Sequence, residues 1–276
     1  MSDAPRPPAE ADALPRLSAH ALEQLGRCPR KFALLYKARR FWPAAAPTAA
    51  EAPGLDARAL GVALHTLVQR QALGLPLAAS LAEAAEALPA LPPLWEAFTA
   101  SPHAQPDPEA RTWTEQPLHL CLPTPAGPLP LEVRYDRLVL RDDGWTILDW
   151  KTGHVGARLA GTWQTRLYPF VLAEAGQALT GAPPPPPDRI RLTYWEVATG
   201  QGLTLRHDEA QHDATRAALE AVAARVALPF DEAAPDDPAY PREPAHCGQC
   251  PFDSLCNGQP LPAPARPPQA RPRLTP

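Results

Sequence analysis

The chain has 276 residues, with 26 Lys and Arg against 30 Asp and Glu and a formal net charge of −4. That length can bury a substantial core, and the charge balance excludes a protein that holds nucleic acid through a global positive field. The 39 prolines, far above the usual ~5%, follow no glycine period and so exclude collagen, and no apolar run approaches the ~20 residues of a membrane-spanning helix.

Prolines bunch in 1–15, at Pro183 to Pro187 and in 260–276, where they exclude helix and sheet interiors. Disordered tails are therefore expected over 1–15 and 259–276, with one folded domain over 16–258. Met1 leads into a polar Pro/Ala/Asp stretch without an apolar signal core, so a cytoplasmic location and no membrane contact are expected. Local charge is less even: residues 16–42 carry seven basic residues and only Glu23 as an acid. Such a segment suits either a phosphate backbone or a solvated helix face.

In chain order, Ser18 can cap a helix over 19–26, and Cys28-Pro29 reads as cap and first-turn proline of a second, PRKFALLYKA. Residues 56–73 place Leu60, Leu64, Leu67 and Val68 at helical spacing and stop at Gly74. Ala-rich helices follow over 78–100. The period then changes to that of strands in RTWTEQPLHLCL, LEVRYDRLVL and WTILDWK, the last two joined at Asp142-Asp143-Gly144. A helix is expected over 158–179, then strands RIRLTYWEV and LTLRH, then a helix over 208–228. This order predicts an α/β fold, a mixed sheet flanked by helices.

The hairpin carries the chemistry. Asp149 and Lys151 are two apart in a strand and so share a face. With Asp143-Gly144 as the turn, Asp136 falls opposite Lys151; with Asp142-Asp143 as the loop, it falls opposite Asp149. Both registers bring two carboxylates and an ammonium together among positions that are normally apolar. A hard divalent cation between the aspartates would relieve their repulsion, and a lysine beside them can act on water and steady a phosphate's charge. A surface hairpin of ion pairs is the plainer alternative. Only three residues of the chain are lysines, Lys31, Lys37 and Lys151, so a compact, tunable ammonium here stands out from an arginine-rich background.

Of the five cysteines, Cys247, Cys250 and Cys256 form a C-x2-C-x5-C cluster in a proline-rich loop. Three thiolates need a fourth for a tetrahedral or cubane site. Cys28, at a helix cap, suits that place better than Cys121, which reads as a small core residue of an apolar strand. Zinc and 4Fe–4S both accept four thiolates, and spacing alone leaves both open.

Asp136 followed by Asp149-Trp150-Lys151-Thr152-Gly153 resembles the metal site of the PD-(D/E)xK nuclease superfamily, in its RecB-like and AddB-like iron–sulfur branch. Leu17-Ser18 to Cys28-Pro29-Arg30-Lys31-Phe32 is similar to that branch's CPxKF segment, Gly61 to His65 to its GxxxH helix, and Gln164 with Tyr168 to its QxxxY motif. The resemblance implies a restriction-endonuclease-like core. It makes His65, Asp136 and Asp149 ligands of Mg2+ or Mn2+, with the carbonyl of Trp150 as a further one. Lys151 would act on the nucleophilic water, Gln164 and Tyr168 would brace the site, and Glu115 would be an additional acid. It also favours 4Fe–4S on Cys28, Cys247, Cys250 and Cys256, stapling the N- and C-terminal segments together. Pro169 directly follows Tyr168 and disfavours α conformation there, so the helix is liable to break at that point.

The function implied is a deoxyribonuclease acting exonucleolytically on single-stranded DNA ends in repair or recombination. A CRISPR adaptation nuclease and a non-catalytic DNA-binding scaffold remain as alternatives. No helicase phosphate loop occurs, so any helicase or other repair partner would be a separate chain.

Overall fold

A computed structural model describes residues 14–40, 52–105, 107–234 and 236–257, without the side chains of 52–56 and 249. The proline-rich tails, apart from Leu14 and Pro15, lie outside the described residues. The described residues form two compact units, the first within 1–23 and 49–227 and the second within 24–48 and 228–276. No described helix is long and apolar enough to cross a membrane.

The first unit holds one five-stranded sheet in the order β1 (Arg111–Leu122), β2 (Leu129–Arg141), β3 (Gly144–Lys151), β4 (Ile190–Glu196) and β5 (Gln201–Arg206). Neighbours are antiparallel except β3 and β4, which run parallel. A parallel pair needs a crossover, supplied here by α6 (Trp163–Ala175) and a short α7 (Gln177–Thr180). The expected α/β fold with a mixed sheet is therefore present.

Along β3, side chains alternate between the two faces. Leu148 and Trp150 join Val139 of β2 in a core with Leu64, Leu67 and Val68 of α3 (Ala52–Ala72) and Leu91, Trp95 and Phe98 of α5 (Leu91–Thr99). Helix α4 (Ala78–Ala87) adds Leu81 and Ala84 to its rim. Asp149 and Lys151 face the other way, toward α6. The helix α8 (Glu209–Ala227) packs on α6.

Pro169 does not break α6. Its missing N–H leaves the carbonyl one turn earlier without the usual donor, at a cost of ~3 kcal/mol. Leu167, Phe170, Val171 and Leu172 around it are fully buried, and each such side chain returns ~1.5–3 kcal/mol. Burial wins. The expected single helix over 158–179 is nevertheless divided, into a 3-10 turn over Ala157–Gly161, α6 and α7.

A second correction concerns Cys121, which is exposed rather than buried. On this part of edge strand β1, Leu118 and Leu122 face the core, so His119 and Cys121 face solvent.

The second unit is small and closed by side chains reaching across its two chain segments. α1 (Ala19–Arg27) leads into it, followed by α2 (Pro29–Phe32), which widens into a π turn over Ala33–Lys37. Arg30, 1% exposed, donates to the carbonyls of Ala234 at 2.6 Å and Glu232 at 2.9 Å. Leu34 packs with Phe252 and with Cys256 of α9 (Asp253–Cys256).

Candidate metal centre

The hairpin selects one of the two registers open to it: Arg141 pairs with Gly144 and Arg137 with Leu148, so Asp142-Asp143 forms the loop. Gly144 explains the choice. It sits at φ 132° with its Cβ position 2.3 Å from the carbonyl oxygen of Arg189, a place no other residue could fill. One step further along this register, Asp136 meets Asp149.

Asp136 and Asp149 are both buried, at 8% and 2% exposed. Asp136 accepts from the backbone N–H of Trp150 through Oδ2 at 2.8 Å and meets His65 Nδ1 through Oδ1 at 3.2 Å. Lys151 Nζ lies 2.6 Å from Asp149 Oδ1 and donates to Gln164 Oε1 at 3.0 Å. The amide nitrogen of Gln164 donates to Asp149 Oδ2. Tyr168, one helical turn later, hydrogen-bonds Gln164 and stacks edge-on against Tyr135, whose hydroxyl donates to the Tyr168 carbonyl at 2.9 Å. Every predicted residue of the acidic site thus falls in one place, with α3 supplying His65 and α6 supplying Gln164 and Tyr168.

Glu115 joins them. Its carboxylate lies 3.7 Å from His65 Nδ1, and its φ of 50° is unusual for a strand residue other than glycine. Holding such a residue there costs ~1–2 kcal/mol, a strain characteristic of functional sites. Tyr194 completes the wall: its hydroxyl meets Thr165 Oγ1 at 2.8 Å, and Lys151 Nζ sits 5.2 Å from its ring centre. Nothing in the sequence pattern singles out Tyr194, whose alternation in β4 reads as plain core.

The electrostatics are those of an acidic pocket short of positive charge. Burial would push His65 down, but hydrogen bonds and charge from Asp136, then Glu115 and Asp149, overcome it and hold the imidazole up at about 10. Burial first, and then the charge of Asp136, raise Asp149 above the carboxylate range against the pull of Lys151 and His65. Burial and the two aspartates raise the Tyr168 phenol, which stays neutral.

Such a site fits a divalent cation. His65, Glu115 and Asp136 each offer one ligand atom, all within 4.8 Å of one another. Glu115 Oε1 is buried and, beyond its 3.7 Å ionic contact with His65 Nδ1, has no closer hydrogen-bond partner among the described residues. One imidazole and hard carboxylate oxygens suit magnesium or manganese.

The model of the PD-(D/E)XK nuclease superfamily matches residues 16–257. The chain belongs to that superfamily. Its members are hydrolytic nucleases that use divalent metals. Among solved structures, a "Putative exonuclease" from Eubacterium rectale is 10% identical, with 79% of this chain and 82% of that one covered at a TM-score of 0.46. A protein named SSO0001 is 13% identical, with 88% and 86% covered at a TM-score of 0.37. Both are too distant to carry function. Among curated proteins, none matches significantly.

The second unit gathers the other predicted set. Cys28 and Cys256 are buried, Cys247 and Cys250 half-buried, and all are free thiols. Burial raises the Cys247 and Cys250 thiols, and both also feel the charges of Cys28 and Cys256. The four thiols thus share one unit and feel one another's charge, but their sulfurs do not close into a ligand set within 4.8 Å among the described residues.

Proposed function

We propose that this nuclease is a magnesium- or manganese-dependent deoxyribonuclease of the RecB-like branch, cutting single-stranded DNA from an end in repair or recombination. The observation that carries the reading is the convergence of His65, Glu115, Asp136, Asp149, Lys151 and Gln164 at one buried spot. The cation would be held by His65, Asp136 and Asp149, with Glu115 and the Trp150 carbonyl adding oxygen donors. Bound there, it would supply Lewis-acid polarisation of the scissile phosphate and a more acidic water.

The chain's own residues do the rest. Gln164 bridges Lys151 and Asp149 and so fixes the ammonium where it can orient the attacking water and oppose charge on the phosphate. Tyr168 steadies Gln164 from one turn along α6. The basic stretch of 16–40, which ends in the exposed Arg39 and Arg40, supports contact with a DNA backbone. Helicase activity, where needed, would come from a separate chain.

In the same reading, residues 16–258 work as one nuclease domain in the cytoplasm, and Cys28, Cys247, Cys250 and Cys256 hold a 4Fe–4S cluster that staples the segments 24–48 and 228–257. Cleavage of end-labelled single-stranded oligonucleotides with and without magnesium tests the activity. Asp149→Ala and Lys151→Ala should abolish cleavage and leave DNA binding intact. Full cleavage by Asp149→Ala would overturn the site, and DNA binding with no metal-dependent cleavage by the native chain would mark it as a scaffold.

A further inference from the structure

Beside the carboxylates lies a cavity of about 350 Å3, lined by Ala57, Arg58 and Gly61 of α3, by Lys151 at the end of β3, by Thr152 to His154 beyond it, and by Leu159. It opens onto the metal centre, with which it shares His65, Trp150 and Lys151. No carboxylate lines it, while Arg58, Lys151, His65 and His154 all do. Arg58 is exposed and has no ion-pair partner among the described residues. Lys151 and His65 are paired with Asp149 and Asp136, and His154 leans on Glu196, which leaves Arg58 as the unpaired cation of the lining among the described residues. Glu196 accepts from the backbone N–H of Val155 at 2.8 Å and meets His154 Nδ1 at 3.3 Å. It is the register partner of Lys151 across the parallel β3–β4 ladder, so one buried carboxylate ties the 152–155 loop to β4, beside the strand that carries the lysine.

Neither glycine of the lining is crowded. A Cβ at Gly61 would touch Thr152 Oγ1 at 3.7 Å, and a Cβ at Gly153 would meet nothing within 4 Å. The cavity therefore offers the exposed Arg58 and His154 beside the apolar side chains of Ala57 and Leu159, in a volume at the small end of ligand pockets. That combination suits an anionic head on a compact, partly apolar body.

We propose that this cavity seats the single nucleotide flanking the scissile bond, with Arg58 and His154 binding its phosphate and Leu159 and Ala57 meeting its sugar and base. The inference rests on the nuclease reading and adds the subsite that would hold a released mononucleotide. Glu196 acts as a positioning residue, presenting His154 to the phosphate. Arginine at the rim gives a charge-assisted contact that depends on salt.

The test measures binding of thymidine 5′-monophosphate, thymidine 3′-monophosphate, thymidine and inorganic phosphate to the full chain by calorimetry, beside the KM for single-stranded DNA with magnesium. Both side chains are exposed, so Arg58→Ala and His154→Ala should melt as the native chain does. Each should weaken binding of one monophosphate by about tenfold or more, raise KM more than it lowers kcat, and, for Arg58→Ala, flatten the salt dependence by about one ion. Arg58→Lys should recover part of the loss. Monophosphate binding unchanged in both variants would overturn the proposal while leaving cleavage, and hence the nuclease reading, intact. Inorganic phosphate binding as tightly as the monophosphate would overturn the nucleotide seat. Monophosphate binding that depends on Arg58 in a chain that cuts nothing would support the seat and end the nuclease reading.

Discussion

The backbone N–H of Trp150 donates to Oδ2 of Asp136 at 2.8 Å, so an amide of β3 aims a carboxylate of β2. Trp150 is 1% exposed and its N–H would otherwise be buried without an acceptor, a cost of ~1–3 kcal/mol. The metal centre and the hairpin are therefore stabilised by the same atom pair.

Asp136→Asn keeps an oxygen for the Trp150 N–H but loses the charge that a cation and His65 require. We expect a chain that melts within a few degrees of the native one and has lost metal-dependent cleavage by at least a hundredfold. Asp136→Ala should lose both, melting earlier by the equivalent of about 1–3 kcal/mol. Thermal melts paired with cleavage assays separate the two, and equal stability of the variants would show that the hydrogen bond does not matter.

Gln164 touches both Lys151 and Asp149 and contributes no charge. Gln164→Ala should lower kcat by about ten- to a hundredfold with little change in KM, as expected when a group that positions another is lost. Gln164→Glu, which places a third negative charge beside Asp149, should be the slower of the two. Native kcat in Gln164→Ala would reduce the contact to helix packing.

Far from this centre, His207 is 4% exposed, and burial, then the charge of His212, hold it down at about 4, with Asp208 opposing. Its Nε2 faces His212 Nδ1 at 3.3 Å, and His212 in turn meets Glu174, which also pairs with Arg216. The folded value lies below the unfolded one near 6.5, so the unfolded chain binds the extra proton. Stability is full above about 6.5 and declines as the pH falls toward 4, by at most ~3 kcal/mol. His207→Gln should flatten that limb in chemical denaturation at pH 4.5 and 7. An unchanged slope would assign the acid loss to other groups.

Iron content checks the cysteine set. Anaerobically purified chain should be brown, with about four irons. Cys28→Ser should lose iron and unfold more readily, because cluster binding is coupled to folding. Cys121, exposed on an edge strand, should tolerate serine with neither iron nor stability changed. One zinc in a colourless chain would replace the cluster with a tetrahedral site.

Much of this was legible in residue order. Strand spans, the Asp149–Lys151 face and the helix carrying His65 follow from periods of 2 and 3.6, which local sequence sets directly. The hairpin register was not, because it turns on Gly144 meeting the Arg189 carbonyl across a strand pair 45 residues apart. Pro169 misled for a similar reason: its local penalty is real, and burial of its neighbours, invisible to a local rule, exceeds it. Cys121 looked like core because β1 alternates, and only the position of Leu118 and Leu122 decides which half of the alternation faces inward. Glu115 was visible as an acid but not as a ligand, since its strained backbone has no signature in composition.

The second unit joins residues 24–48 to residues 228–257, with Arg30 reaching Ala234 and Leu34 reaching Phe252. On the ribosome its first segment is therefore made long before its second. At ~5–20 residues per second, Arg30 and Leu34 wait ~10–45 s for their partners, while every strand of the sheet has already been synthesised. The nascent chain thus exposes an arginine and an apolar patch that only its final stretch can cover, and a translation stop before residue 228 would leave them uncovered for good.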